Sequence, residues 1–97
     1  MERATPPLRL DRVLHALGDP VRLAVVRKLA RDGECSCAAL DGGRPKSTMS
    51  HHFRVLREAG LVETRAQGTT HLNALCRAPV DAAFPGLLAA VIGAPEA

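Results

Sequence analysis

Between residues 45 and 65 the chain reads Pro-Lys-Ser-Thr-Met-Ser-His-His-Phe-Arg-Val-Leu-Arg-Glu-Ala-Gly-Leu-Val-Glu-Thr-Arg. Met49, Phe53 and Leu56 fall at i, i+4 and i+7, the spacing of one buried helix face. Ser47, His51 and Arg54 lie roughly opposite them, with Ser50 and Arg57 on the flank. Hydroxyls, an imidazole and a guanidinium together donate to phosphates and to base edges, which is the chemistry of DNA binding. The plainer alternative is a solvated face on a packed helix, since most charged helix faces meet only water. Gly60 suits the left-handed position that ends a helix.

A second group with chemical potential is Cys35-Ser36-Cys37. Two thiolates this close can bind a thiophilic or transition metal ion. Vicinal thiols also oxidise, which gives a redox reading. The third reading is two small, partly buried residues with no chemistry. The spacing is too short for an ordinary structural disulfide. Cys76 lies far along the chain and is not expected to join them. His51 and His52 are adjacent on a helix, so their side chains point about 100° apart and cannot share a metal. No glycine-rich phosphate loop and no supported Ser-His-acid or Cys-His spacing occurs, so an enzyme is not expected.

These groups sit on a chain of 97 residues, a single domain with a modest core. It has no Trp or Tyr and two Phe, so the core is aliphatic. No apolar run reaches the roughly 20 residues of a membrane span, and the first residues hold no apolar signal region. A cytoplasmic protein with no membrane partner is expected, its three cysteines reduced. The net charge is +3, and all 13 Lys and Arg lie in residues 1–77. A basic body with an apolar tail points to one surface for a polyanion and another for a protein.

Residues 1–7 read as a mobile arm. Leu10, Val13, Leu14 and Leu17 follow at helical spacing. Gly18-Asp19-Pro20 offers a glycine stop, an Asp N-cap and a proline for the next first turn. A central helix over 20–31 follows, with Val21, Ala24, Val25, Val26 and Leu29 apolar. A short helix over 36–40 leads through Asp41-Gly42-Gly43-Arg44-Pro45 into the polar-faced helix. Two helices on a short turn form a helix-turn-helix, here residues 36–59. Leu61 to Arg65, a turn at Ala66-Gln67-Gly68, and Thr69 to Cys76 make a two-stranded hairpin, a wing over 61–76. The apolar tail, 80–92, is broken at Pro85-Gly86. With the first helix it leaves an apolar patch that a two-fold dimer would cover. Leu10, Val13, Leu14, Leu87, Leu88, Val91 and Ile92 are its expected interface.

Ala16-Leu17-Gly18-Asp19-Pro20-Val21-Arg22-Leu23 and Ser47 to Val62 together resemble the ArsR/SmtB family of winged helix-turn-helix repressors, over residues 8–92. The resemblance implies a mainly α fold with a small β-hairpin, in the order α-α-α-α-β-β-α. It implies a homodimer paired through the first and last helices, on a double-stranded operator with an inverted repeat. By position, Ser50 and His51 are candidates for base edges, and Ser47, Thr48 and Arg54 for phosphates. Arg65 and Gln67, with Thr69, would set the wing near the backbone. His52 falls on the packed side as a structural histidine. Pro45 replaces the N-capping Ser common in relatives. Cys35 and Cys37 resemble the CxC of thiol-based metal sensors, without the third cysteine such members add. The last-helix Asp-His-Glu site of other members is absent. An activator needing a protein partner, or a winged-helix adaptor docking proteins or metal, stays open beside the repressor.

Overall fold

The computed structural model describes residues 8–95; the arm expected over residues 1–7 lies outside them. Helix α1 spans Leu10–Leu17 and α2 Pro20–Asp32. Asp19 caps α2, its carboxylate accepting from the Val21 and Arg22 N–H groups at 2.9 and 3.0 Å. Pro20 occupies the first turn, where no donor is missed. Val25, Val26 and Leu29 turn this helix into the core, whereas Ala24 faces solvent.

The chain then departs from a simple hairpin-and-helices order. Cys35–Ser36 forms a short strand, β1, before helix α3 at Cys37–Asp41. Helix α4 spans Lys46–Glu58, and the wing strands are β2, Val62–Gln67, and β3, Thr70–Leu75. All three strands pair antiparallel in the order β1-β3-β2. The wing is thus a three-stranded sheet, with Cys35 opposite Asn73 and Thr64 on the other side of Asn73. Two residues carry too little periodicity to read as a strand; tertiary pairing with β3 makes them one.

Gly60 ends α4 with φ 82°. Its N–H donates to Arg57 O at 3.0 Å and the Leu61 N–H to Leu56 O at 3.0 Å. This is the Schellman arrangement, and it turns the chain directly into β2.

The tail folds as two helices, α5 at Arg77–Ala83 and α6 at Leu87–Gly93. Pro85 cannot continue a hydrogen-bonded helix, and Gly86 takes φ 87°, so the axis breaks there. Leu88 is fully buried, as is Val13 of α1. Both were expected on the dimer face and instead belong to the protomer core, beside Val26, Leu56 and Leu61. A residue with no accessible surface in one protomer has none to give an interface. Leu10 and Leu14 remain 48% and 49% exposed. Leu87, Val91 and Ile92 are half-buried. Arg27 holds α6 in place, its guanidinium donating to Val91 O and Ala94 O. No helix among the described residues is long and apolar enough to cross a membrane.

Candidate nucleic-acid interface

Met49, Phe53 and Leu56 are buried and fix α4 to the core. The opposite face follows from that anchoring. Ser47, Thr48, Ser50, His51 and Arg54 are all exposed, with Lys46 and Arg57 beside them. No side chain caps the start of α4, because Pro45 stands at the N-cap. Its first backbone N–H groups and the positive end of its dipole therefore suit an anion. Arg54 lies 3.9 Å from Glu58 one turn on, a contact too long and too exposed to hold the guanidinium.

The wing carries a feature that sequence reasoning missed. Arg65 is exposed as expected, yet its guanidinium is engaged by Glu34, with Nε and Nη2 donating at 3.0 and 2.8 Å. The hydrogen bond and charge of Arg65 hold the Glu34 carboxyl below its ordinary value. Glu34 precedes β1, so the unexpected strand is what brings it to the wing. Gln67 and Thr69 sit exposed at the wing tip. His71 of β3 is exposed too and was not singled out in the sequence. A groove of about 420 Å³ separates α3, the start of α4 and the wing tip; Cys37, Asp41, Lys46, Ser50 and His71 are among its lining residues. Residues of α4 and of the wing thus border one surface.

Cys35 and Cys37 fall in different elements. Cys35 is on β1, its Sγ donating to Gly33 O at 3.3 Å. Cys37 opens α3, its Sγ accepting from Asn73 Nδ2 at 3.3 Å. Asn73 is fully buried and also donates to Cys35 O at 3.4 Å, while its Oδ1 accepts from Thr64 Oγ1 at 2.7 Å. Since a backbone carbonyl only accepts, the amide orientation is fixed. Asn73 stitches β1, α3 and β2 together. Burial, helped by the Glu63 charge, pushes the Cys76 thiol up. Among the described residues no three His, Cys, Asp or Glu side chains are grouped to hold a metal ion. Cys35 and Cys37 therefore have no third His, Cys, Asp or Glu grouped with them among the described residues.

The Helix-turn-helix domain family model matches residues 17–65. An uncharacterised HTH-type transcriptional regulator of Methanocaldococcus jannaschii is 41% identical over 59 residues, 59% of this chain and 66% of that protein. One from Bacillus subtilis is 38% identical over 79 residues, 78% of this chain and 79% of its own length. Among solved structures, an ArsR family transcriptional regulator superposes with TM-score 0.68 at 28% identity, covering 76% of this chain and 77% of that one. The transcriptional repressor BigR from Xylella fastidiosa does so with TM-score 0.67 at 31% identity, covering 90% and 88%.

Proposed function

Because the chain belongs to the ArsR-type helix-turn-helix family of transcriptional regulators, we propose that it is a repressor binding an inverted-repeat operator as a homodimer. The observation that carries this reading is the polar face of α4, held outward by the burial of Met49, Phe53 and Leu56. Ser50 and His51 read base edges from the middle of that face. Ser47, Thr48 and Arg54, with the uncapped helix start, hold phosphates. Gln67 and Thr69 bring the wing tip to the backbone. Two such helices, one per protomer, reach half-sites about 34 Å apart. The dimer forms through Leu10 and Leu14 of α1 with Leu87, Val91 and Ile92 of α6. Two half-exposed leucines one turn apart on α1 support it, since exposed apolar groups of this kind favour association.

The test is a fluorescence-anisotropy titration of the reduced protein against the DNA upstream of its own gene, at several salt concentrations. Arg54→Ala is expected to weaken binding and to lower the salt slope by about one unit. An unchanged slope removes Arg54 from the interface. Absence of specific binding by the unsubstituted protein favours a protein-docking adaptor over a repressor.

Glu34 acts on the same surface as an internal substitute for a phosphate. A DNA phosphate must compete with it for Arg65. Glu34→Gln keeps the shape and one acceptor oxygen but removes the charge, so Arg65 is held more weakly. Tighter binding by a few-fold, with a salt slope about one unit steeper, is expected in the same titration. A Glu34→Gln protein with the original slope would mean that Arg65 does not reach DNA.

A further inference from the structure

His52 follows the DNA-facing His51 on α4, yet its side chain turns inward and is 12% exposed. Its Nδ1 lies 3.2 Å from Nη1 of Arg22. A guanidinium only donates, so in a hydrogen bond between the two Nδ1 is the acceptor. Arg22 is itself buried, 7% exposed. Its Nε donates to Ala16 O at 2.8 Å and its Nη2 to His15 O at 3.2 Å. Those are carbonyls of the last turn of α1, at the negative end of its dipole. One buried guanidinium on the first turn of α2 therefore binds the end of α1 and the middle of α4 at once. Asp19 flanks the pair, its Oδ2 3.8 Å from His52 Nδ1. Burial pushes the Asp19 carboxyl up. The Arg22 N–H and charge, with the Val21 N–H, outweigh that and hold it below its ordinary value.

We infer that Arg22 and His52 form a positioning pair that sets the angle of the recognition helix relative to α1. His52 is thus a positioning residue for DNA binding that does not touch DNA. The geometry is specific to one atom: the acceptor must stand where Nδ1 stands. α1 also carries Leu10 and Leu14, so the pair links the helix of the association face to the DNA-facing helix through hydrogen bonds. The inference rests on the DNA-binding reading for its functional readout, though not for its structural one.

The experiment compares three substitutions of the full chain. Asn presents its Oδ1 near the Nδ1 position, whereas Gln reaches the Nε2 position and Ala offers no acceptor. His52→Ala and His52→Gln are expected to bind the operator about tenfold more weakly, with an unchanged salt slope. His52→Asn is expected to stay within about threefold of the unsubstituted protein. Circular dichroism melting identifies any variant that fails to fold; should His52→Ala be one, the Asn–Gln contrast decides. Equal affinities for the Asn and Gln variants would overturn the inference, as would a salt slope lowered by one unit, which marks a direct phosphate contact. Ring nitrogen shifts of His52 by NMR supply a readout that needs no DNA. A protonated Nε2 and bare Nδ1 are expected, and a proton on Nδ1 would overturn the pair even where operator binding is intact. If the unsubstituted protein binds no operator, the repressor reading fails and the DNA role of His52 with it, whatever the tautomer.

Discussion

Leu14→Asp should leave a folded monomer that has lost tight operator binding. Leu14 is 49% exposed in the protomer, and Leu10, one turn earlier, is 48% exposed. Neither belongs to the core that Val13, Ala16 and Leu17 build from the other side of α1. A carboxylate at position 14 therefore costs the protomer little. Across a two-fold axis the same group is placed twice, without a partner, in an apolar interface. Burying an unpaired charge there costs several kcal/mol, and the like charges add to it. Losing the dimer turns one two-site binding event into two independent ones. Apparent operator affinity should fall by roughly 10²–10⁴-fold, the usual gain from linking two sites. Light scattering reads the mass, circular dichroism the fold, and anisotropy the affinity. A Leu14→Asp protein that remains dimeric would move the association face away from α1.

What the sequence could show about this interface was limited by a simple ambiguity. Leu10, Val13, Leu14 and Leu17 are all apolar, and helical spacing alone does not say which of them the protomer keeps. α1 turns Val13 and Leu17 inward and leaves Leu10 and Leu14 out, because α2 and α4 pack on one side only. Where the pattern was sharper the reading was sharper. Met49, Phe53 and Leu56 sit on one face with polar groups opposite, so the inner side of α4 could be read directly. The helix stop at Gly60 and the cap at Asp19 were legible for a similar reason, being local backbone chemistry.

Glu34, Arg22 and Asn73 were not legible, because their roles depend on partners 31, 30 and 36 residues away. Glu34 and Asn73 matter only once β1 joins the sheet, and two residues hold no strand signal. Arg22 reads as one more arginine on a basic chain until three acceptors from two other helices converge on it. His52 was read correctly as inward-facing from its helical position, but the acceptor role of Nδ1 needed the location of Arg22.

Leu88→Ala tests the other half of that ambiguity. Leu88 is the fully buried residue of α6, a helix of seven residues. A helix so short has no stability of its own in water, so its docking depends on tertiary contacts. Those are the burial of Leu88, the packing of Leu87, Val91 and Ile92 on the core, and the Arg27 bonds to Val91 O and Ala94 O. Truncating a buried leucine to alanine costs about 2–5 kcal/mol, the upper part where the cavity cannot collapse. For a domain of this size that lowers the melting temperature by roughly 10–30 °C. Val91→Ala, at a half-buried position, should cost clearly less. Hydrogen exchange separates the mechanisms: if Leu88 anchors α6, amides of residues 87–93 lose protection before those of α4. The dimer should also weaken in Leu88→Ala, but indirectly, because undocking α6 removes Leu87, Val91 and Ile92 from the association face together. A variant that melts like the unsubstituted protein yet dissociates would show that Leu88 lies in the interface after all, and that the protomer core closes without it.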